Sequence, residues 1–278
     1  IEIMRGSGAV LYGGGATGGT INIISKSAQK NTRSATVGTT AGSYGTYDYR
    51  AGANFAGDRV GALVNTEHLE TNNYRYGNRF RDQNAQADLR YSGERGVLYA
   101  KLGTDDQQLL LPGALTQAQI GLNPRLNVTP GDYSNMSSNY ANLGGNLNIR
   151  DAEFALNVGY RTKSAPAAFN VASVFGGNIT HTSVDVWSAT PRAKIPFAIG
   201  GVNNTLVTGV DWDQWNYNST ITSTLAPAAG PFANPVSMQR NTAWYFQNTS
   251  TFGARTLLSV GARVQSTNYG VTDQIGGA

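Results

Sequence analysis

Hydrophobic and polar residues alternate along most of this chain, beginning soon after residue 32. In the segment 48–55, for example, every second position carries an apolar side chain, namely Tyr49, Ala51, Ala53 and Phe55. The same alternation recurs in the segments 84–91, 98–103, 142–150, 153–161 and 258–265. A period of two places successive side chains on opposite faces of a strand, so the pattern predicts many strands with one apolar face and one polar face.

The lengths of these strands and the order of their connections favour a membrane barrel over a sandwich. The predicted strands extend over roughly ten to fifteen residues, whereas strands of globular sheets usually have about five or six, and a tilted strand needs about nine to eleven to cross a bilayer. Short turns are predicted at 56–58, 92–95, 150–151, 196–204 and 252–254. Between them lie mostly longer loops, at 72–78, 105–135, 164–182 and 219–235, with one short turn near 43–45. Short turns at one end and longer loops at the other are typical of bacterial outer-membrane barrels.

About eleven strands are predicted, and bacterial barrels of this kind have an even number of strands. We therefore expect an all-β fold, an antiparallel up-and-down transmembrane β-barrel of which this chain supplies only a part. Aromatic residues in or near strand ends fit such a barrel, because aromatic girdles mark the two membrane interfaces. They are Trp187, Trp212, Trp215, Trp244, Tyr245 and Phe246.

The first twenty-six residues have a different pattern, with apolar segments separated by clustered glycines. Gly13 to Gly18 satisfies the G-x-G-x-x-G pattern of dinucleotide-binding folds, which requires a following helix and an acidic residue about twenty positions later. The segment 20–24 is rich in β-branched residues that disfavour a helix, and residues 30–40 contain no acid. A nucleotide-dependent enzyme is therefore the least favoured hypothesis.

The same residues resemble the closing segment of the plug domain of TonB-dependent outer-membrane receptors. That family's pattern is, loosely, Ile-Glu-x-x-Arg-Gly-Pro, then Leu-Tyr-Gly, then Gly-Gly-x-Ile-Asn-Ile. The chain departs from it at Ser7, where the family usually has proline. The matching positions are Ile1, Glu2, Arg5, Gly6, Leu11, Tyr12, Gly13, Gly18, Gly19, Ile21, Asn22 and Ile24.

The resemblance implies the end of a plug domain at 1–30, followed by the N-terminal half of a barrel at 31–278, with about eleven of about twenty-two strands. It further implies a receptor and transporter rather than an enzyme. Such receptors lie in the outer membrane of Gram-negative bacteria, among its lipids, and take up a scarce chelate, most often a ferric siderophore. The inner-membrane TonB complex energises uptake through an N-terminal segment that we expect to precede this chain. A passive porin or adhesin barrel is the alternative, and it places residues 1–26 within the barrel sheet.

Composition narrows the remaining classes of function. The 278 residues include 14% charged residues and no cysteine, and the net charge is +4. Because the basic residues are dispersed rather than clustered, we expect no nucleic-acid partner. The histidines His68 and His181 are far apart in sequence, and neither belongs to a motif that predicts catalysis, a metal site or a cofactor. There is no apolar run of eighteen residues that would predict a membrane-spanning helix, and no signal peptide begins the chain.

Candidate site residues follow from the predicted faces and from the resemblance. The predicted lumen face carries Arg50, Arg90, Lys101, Arg150, Arg161, Arg192 and Arg263, together with Asp48, Asp88 and Glu153. These charges either bind the plug and lumen water or form a basic funnel for anionic chelates. Arg5 is the plug residue that we expect to pair with carboxylates of the barrel. Tyr133 and Tyr217, in or beside the long loops, are candidate substrate contacts, since aromatic residues often line binding sites.

Overall fold

A computed structural model describes residues 2–5, 10, 19–22, 26–28, 30–253 and 255–275. These residues include fifteen strands, the short α-helix α1 (Gln117–Leu122), and two short 3-10 helices at Ser43–Gly45 and Pro227–Ala229. The strands are β1 (Glu2–Arg5), β2 (Gly19–Asn22), β3 (Arg33–Gly42), β4 (Thr46–Ala56), β5 (Val60–Thr71), β6 (Phe80–Ser92), β7 (Gly96–Leu110), β8 (Tyr133–Ile149), β9 (Ala152–Phe169), β10 (Asn178–Ala189), β11 (Arg192–Ile199), β12 (Val202–Ser223), β13 (Pro231–Ala233), β14 (Pro235–Phe252) and β15 (Thr256–Asp273). No helix in the described part of the chain is long and apolar enough to cross a membrane.

The strands form two separate sheets. Strands β1 and β2 pair only with each other and are antiparallel, with Glu2 opposite Asn22 and Arg5 opposite Gly19. The other thirteen strands form one large antiparallel sheet in which each long strand pairs with the next along the chain. This meander confirms the predicted up-and-down topology. Neither of the two described strands of the first segment is therefore part of the large sheet.

Strands β10 and β11 are two parts of one long strand. Both pair with β9 on one side and with β12 on the other, in one continuous register. The interruption falls at Thr190 and Pro191, because proline has no backbone N–H to donate to a neighbouring strand. With β10 and β11 counted together and the three-residue β13 set aside, the large sheet has the predicted eleven strands.

Short turns and long loops alternate as predicted. The turns that follow β4, β6, β8, β11 and β14 have two or three residues each. In the turn after β11, Gly200 and Gly201 both have positive φ, 57° and 78°, as a two-residue hairpin that matches the twist of its strands requires. The connections that follow β5, β7, β9 and β12 are longer. We call the two ends of the sheet the turn end and the loop end.

Three predicted loops were too long. Strand β7 continues to Leu110 and β8 starts at Tyr133, so the loop predicted at 105–135 is shorter at both ends. The loops predicted at 164–182 and 219–235 are shortened likewise, since β9 ends at Phe169 and β12 at Ser223. Hydrogen-bonded pairing between neighbouring strands continues in these segments although their sequence no longer alternates. The turn predicted at 196–204 contains only residues 200 and 201.

One face of the large sheet is apolar towards the turn end, and its side chains are exposed. Val37 in β3 is 87% exposed, Leu98 in β7 is 65% exposed and Val264 in β15 is 73% exposed. The register of the paired strands places nine further apolar side chains on this same face: Ala51, Val64, Leu89, Leu143, Leu156, Trp187, Trp212, Trp244 and Phe246. Water-soluble monomers rarely expose an apolar patch that extends over so many strands. We call this surface the apolar face.

The opposite face, which we call the polar face, carries the charged residues of the alternating segments 48–55, 84–91, 98–103, 153–161 and 258–265, and also Trp215 and Tyr245. Three of its tyrosines lie directly across from a glycine on the next strand: Tyr99 from Gly144, Tyr140 from Gly103, and Tyr245 from Gly209. A Cβ atom added at Gly144 would lie 2.6 Å from the Tyr99 hydroxyl. The glycines therefore leave room for tyrosine rings to lie against the neighbouring strands, a known device for stabilising glycines in sheets.

Candidate functional site: the polar face, the N-terminal segment and the loop end

The described residues just before β3 contact the polar face through a buried carboxylate. Asp88 in β6 is 5% exposed, and its Oδ1 accepts a hydrogen bond of 3.3 Å from the backbone N–H of Ala28. The same carboxylate pairs with Arg90 at 2.7 Å and with Lys101 at 3.9 Å. Because a buried carboxylate requires several donors, Asp88 binds the N-terminal segment and its own strand neighbours together.

A second contact involves Arg263 in β15. Its guanidinium Nη1 lies 2.6 Å from Oδ2 of Asp211 in β12 and 3.5 Å from the carbonyl oxygen of Val10. The guanidinium also lies 5.6 Å from the ring centroid of Tyr245, on the strand between them. The side chain of Arg263 is only 14% exposed. Three strands of the large sheet therefore orient one cation towards the backbone of the N-terminal segment.

Several other charges of the polar face form ion pairs with each other. Arg50 lies 2.7 Å from Asp48 and 2.9 Å from Glu67, and Arg192 lies 3.8 Å from Glu153. Of the seven basic residues predicted for this face, five form ion pairs with carboxylates: Arg50, Arg90, Lys101, Arg192 and Arg263. Arg161 instead lies over the ring of Trp215, and Arg150 lies in the turn between β8 and β9. Because five of these seven cations are paired, the polar face offers few free cations for a basic funnel.

At the loop end, Arg75 joins two loops. Its guanidinium donates hydrogen bonds to the carbonyl oxygens of Pro112 (2.9 Å), Leu126 (2.6 Å) and Gly113. These three residues belong to the loop between β7 and β8, whereas Arg75 belongs to the loop between β5 and β6. A planar guanidinium with five donors can satisfy several carbonyl groups at once. One side chain thereby orders the longest loop.

Arg125 makes the reciprocal contact. It belongs to the β7–β8 loop, and its Nε donates to the carbonyl oxygen of Tyr74 at 2.8 Å. Its guanidinium lies 4.4 to 5.8 Å from the ring centroids of Tyr44, Tyr74 and Tyr76, a range in which a cation and an aromatic ring attract each other. Each tyrosine is also exposed. Three loops therefore present one aromatic and cationic cluster to the solvent.

Asp132 links a further loop to this set. It is 5% exposed, and its two carboxylate oxygens each accept a hydrogen bond of 2.9 Å, from the backbone N–H groups of Asn170 and Val171. Asp132 ends the β7–β8 loop, and Asn170 begins the loop between β9 and β10. The connections at this end are thus tied together by Arg75, Arg125 and Asp132, which no sequence motif marks.

The structure describes only part of the predicted plug motif. Glu2, Arg5, Gly19 and Asn22 lie in β1 and β2, whereas Gly6, Tyr12, Gly13 and Gly18 lie outside the described residues. The predicted pairing of the Arg5 side chain also lies outside what is described, and the contacts seen involve the backbone of Val10 and Ala28 instead.

The two candidate substrate contacts do not come together. Tyr217 lies in β12 on the polar face, opposite Val184, near the loop end. Tyr133 is the first residue of β8, and register places it on the other face of the sheet, opposite Ala168. Among the described residues, no group of three or more histidine, aspartate or glutamate residues could hold a metal ion.

Comparison with solved structures identifies the fold. A comparison with models of protein families finds no match, and a comparison with curated protein sequences finds none either. The structure is similar to that of the ferric citrate transporter FecA, with a TM-score of 0.85 and 17% identity over 99% of this chain and 44% of FecA.

Two further structures are similar over nearly the whole chain. The ferric preacinetobactin receptor BauA from Acinetobacter baumannii has a TM-score of 0.79 and 16% identity, over 97% of this chain and 47% of BauA. The ferric-catecholate import receptor Fiu from E. coli has a TM-score of 0.80 and 15% identity, over 98% of this chain and 50% of Fiu. All three are transporters or receptors rather than enzymes, and the chain spans half or less of the length of each. The chain therefore has the fold of TonB-dependent iron-complex receptors, over about half of their length.

Proposed function

We propose that this chain belongs to an outer-membrane receptor that takes up a ferric siderophore or a similar chelate with energy transmitted through TonB. Residues 1–30 are then the end of the plug domain, and residues 31–278 are the N-terminal half of the barrel. The apolar face contacts lipid, and the polar face surrounds the plug.

The position of the N-terminal segment carries this proposal. Strands β1 and β2 pair with each other and not with the large sheet, whereas a porin or adhesin requires this segment in the sheet. Ala28 and Val10 contact Asp88 and Arg263 on the polar face. A segment that packs against the polar face of a barrel occupies its lumen, which is where a plug lies.

The linked loops support a binding surface at the loop end. Arg75, Arg125 and Asp132 hold four connections in one arrangement before any ligand binds, and such preorganisation lowers the entropic cost of binding. Of the two candidate contacts, Tyr217 lies on the polar face that the substrate would pass. We therefore expect Tyr217→Ala to weaken chelate binding more than Tyr133→Ala.

Uptake by whole cells tests the proposal. The full-length gene is expressed in a strain that lacks its own receptors, and radioactive iron is offered as citrate, catecholate and hydroxamate chelates, with haem, cobalamin and copper as further cargoes. The proposal predicts saturable uptake of one cargo, lost when TonB is deleted. Uptake that is unsaturable and independent of TonB would instead indicate a passive porin, and no uptake of any cargo would contradict a transport role.

A further inference from the structure

A groove crosses the apolar face near the turn end. It lies over β6 to β9, has a volume of about 910 Å³, and is lined mainly by Tyr91, Leu98, Leu143, Phe154, Leu156 and Val158. Gly145 forms its floor, because register places this glycine between Leu98 on β7 and Leu156 on β9. A Cβ added there would lie 2.8 Å from Leu98 Cδ2. The missing side chain is what creates the depression between flanking leucines.

A cation lies at the mouth of the groove. Arg95, in the turn between β6 and β7, lines the groove, is exposed and forms no ion pair with a described residue. Arginines also occupy the turns after β4, β8 and β14, as Arg59, Arg150 and Arg255. Arginine is well suited to bind phosphate, since its planar guanidinium can donate two parallel hydrogen bonds.

The length of the groove fits one leaflet of a bilayer. Along β9 it extends from Phe154 to Val158, which is about 13 Å at about 3.3 Å per residue. Because barrel strands tilt by about 35–45°, this is about 10 Å along the bilayer normal. Half of the hydrocarbon core of a bilayer is about 15 Å. Tyr91 lies beside the mouth of the groove. Tyrosine rings favour the interface between lipid and water, so this position fits a groove mouth at that interface.

We propose that this groove is a binding site for a single glycerophospholipid of the leaflet at the turn end. One acyl chain lies over Gly145 between the leucines of β7, β8 and β9, and the lipid phosphate binds Arg95. The proposal rests on the proposed function only for placing the apolar face in a membrane. It adds that one lipid is retained here more strongly than the lipids around the rest of the apolar face.

Native mass spectrometry of the full-length protein in mild detergent tests the site, with dioleoylphosphatidylglycerol as the titrated lipid. Two variants alter the groove: Arg95→Gln removes the cation, and Val158→Trp fills the space. Two matched variants lie outside it: Arg59→Gln in another turn and Val64→Trp on the apolar face of β5. The shift between folded and heat-denatured mobility on gels shows whether each variant folds; Leu143→Phe replaces Val158→Trp if the latter fails to fold.

We expect the wild-type protein to retain one lipid. Arg95→Gln should raise its apparent Kd about tenfold, the scale of one lost charge-assisted hydrogen bond, and Val158→Trp should also raise it because the indole occupies the space of the acyl chain. The matched variants should leave the Kd unchanged. Equal retention by all variants would overturn the proposal, as would equal loss in the matched variants. Displacement of the lipid by inorganic phosphate alone would also overturn it, because it would show a simple anion site.

The result can be separated from that of the uptake experiment. Lipid retention is measured without chelate or TonB. Lost uptake with retained lipid would therefore contradict only the proposed function, and retained uptake with no preferred lipid would contradict only the groove.

Discussion

Removing the Asp88 carboxylate should release the N-terminal segment from the polar face. In Asp88→Ala, the backbone N–H of Ala28 loses the acceptor that it contacts at 3.3 Å. Hydrogen bonds to charged groups contribute about 1.5–3 kcal/mol. Since 3.3 Å is long for such a bond, we take the lower value, about 1.5 kcal/mol, which corresponds to a roughly tenfold increase in the opening equilibrium. Asp88→Asn keeps an oxygen but loses the charge, so we expect a smaller increase of about threefold.

Hydrogen exchange measured by mass spectrometry on the full-length protein detects this opening in the peptide that contains Ala28. Asp48→Ala is the matched control. Asp48 is also buried, on the polar face of β4, and pairs with Arg50 at 2.7 Å, but no hydrogen bond joins it to residues 26–28 in the described part of the chain. Exchange near Ala28 that is equally fast in both variants, or unchanged in Asp88→Ala, would refute the inference that this carboxylate holds the segment.

Three further predictions concern the loops, the apolar face and the tyrosine–glycine pairs. Arg75→Ala should speed proteolytic cleavage within residues 111–132, because three carbonyl groups lose their donor; an unchanged cleavage rate would contradict this. Leu143→Arg should lower the free energy of unfolding in lipid vesicles, measured by urea titration, by about 2–4 kcal/mol, whereas Asn142→Arg on the polar face should have little effect. Gly144→Ala should destabilise the protein by about 1–3 kcal/mol in the same titration, since the Tyr99 ring must move; equal stability would show that the ring is free to shift.

The strands could be predicted where membrane placement dictates the side chains. In a strand with lipid on one side and a polar lumen on the other, apolar and polar side chains must alternate. The sequence of a segment such as 98–103 therefore predicts both that it is a strand and which side chains lie on each face. The same physics explains the loops that were predicted too long. Beyond the apolar zone both faces of a strand are polar, as in Gln107 and Gln108, although backbone pairing with β8 continues there. Alternation thus marks the apolar zone of the sheet and not the full length of each strand.

The contacts of the candidate site, unlike the strands, produce no recognisable pattern in the sequence. The acceptor for Ala28 lies sixty positions away in sequence, and the donor is a backbone N–H that every residue except proline has. Arg75 and Arg125 each bind backbone carbonyl groups of another loop, so their partners have no characteristic side chain. The motif resemblance at 1–26 predicted that this segment belongs to a plug. It predicted a contact for Arg5, whereas the described contacts run through Asp88 and Arg263.

The position of the N-terminal segment is tested most directly by a disulfide. The chain has no cysteine, so no native thiol within residues 1–278 competes with an engineered cysteine pair. A Cβ at Gly61 on the polar face would lie 2.9 Å from Cβ of Ala28, and a disulfide needs about 3.5–4.5 Å between Cβ atoms, so a small shift suffices. Oxidation of the Ala28→Cys, Gly61→Cys variant of the full-length protein should cross-link it rapidly. Ala28→Cys with Ala62→Cys, on the apolar face, should not cross-link. Efficient cross-linking to position 62, or to neither position, would contradict a segment that lies within the barrel.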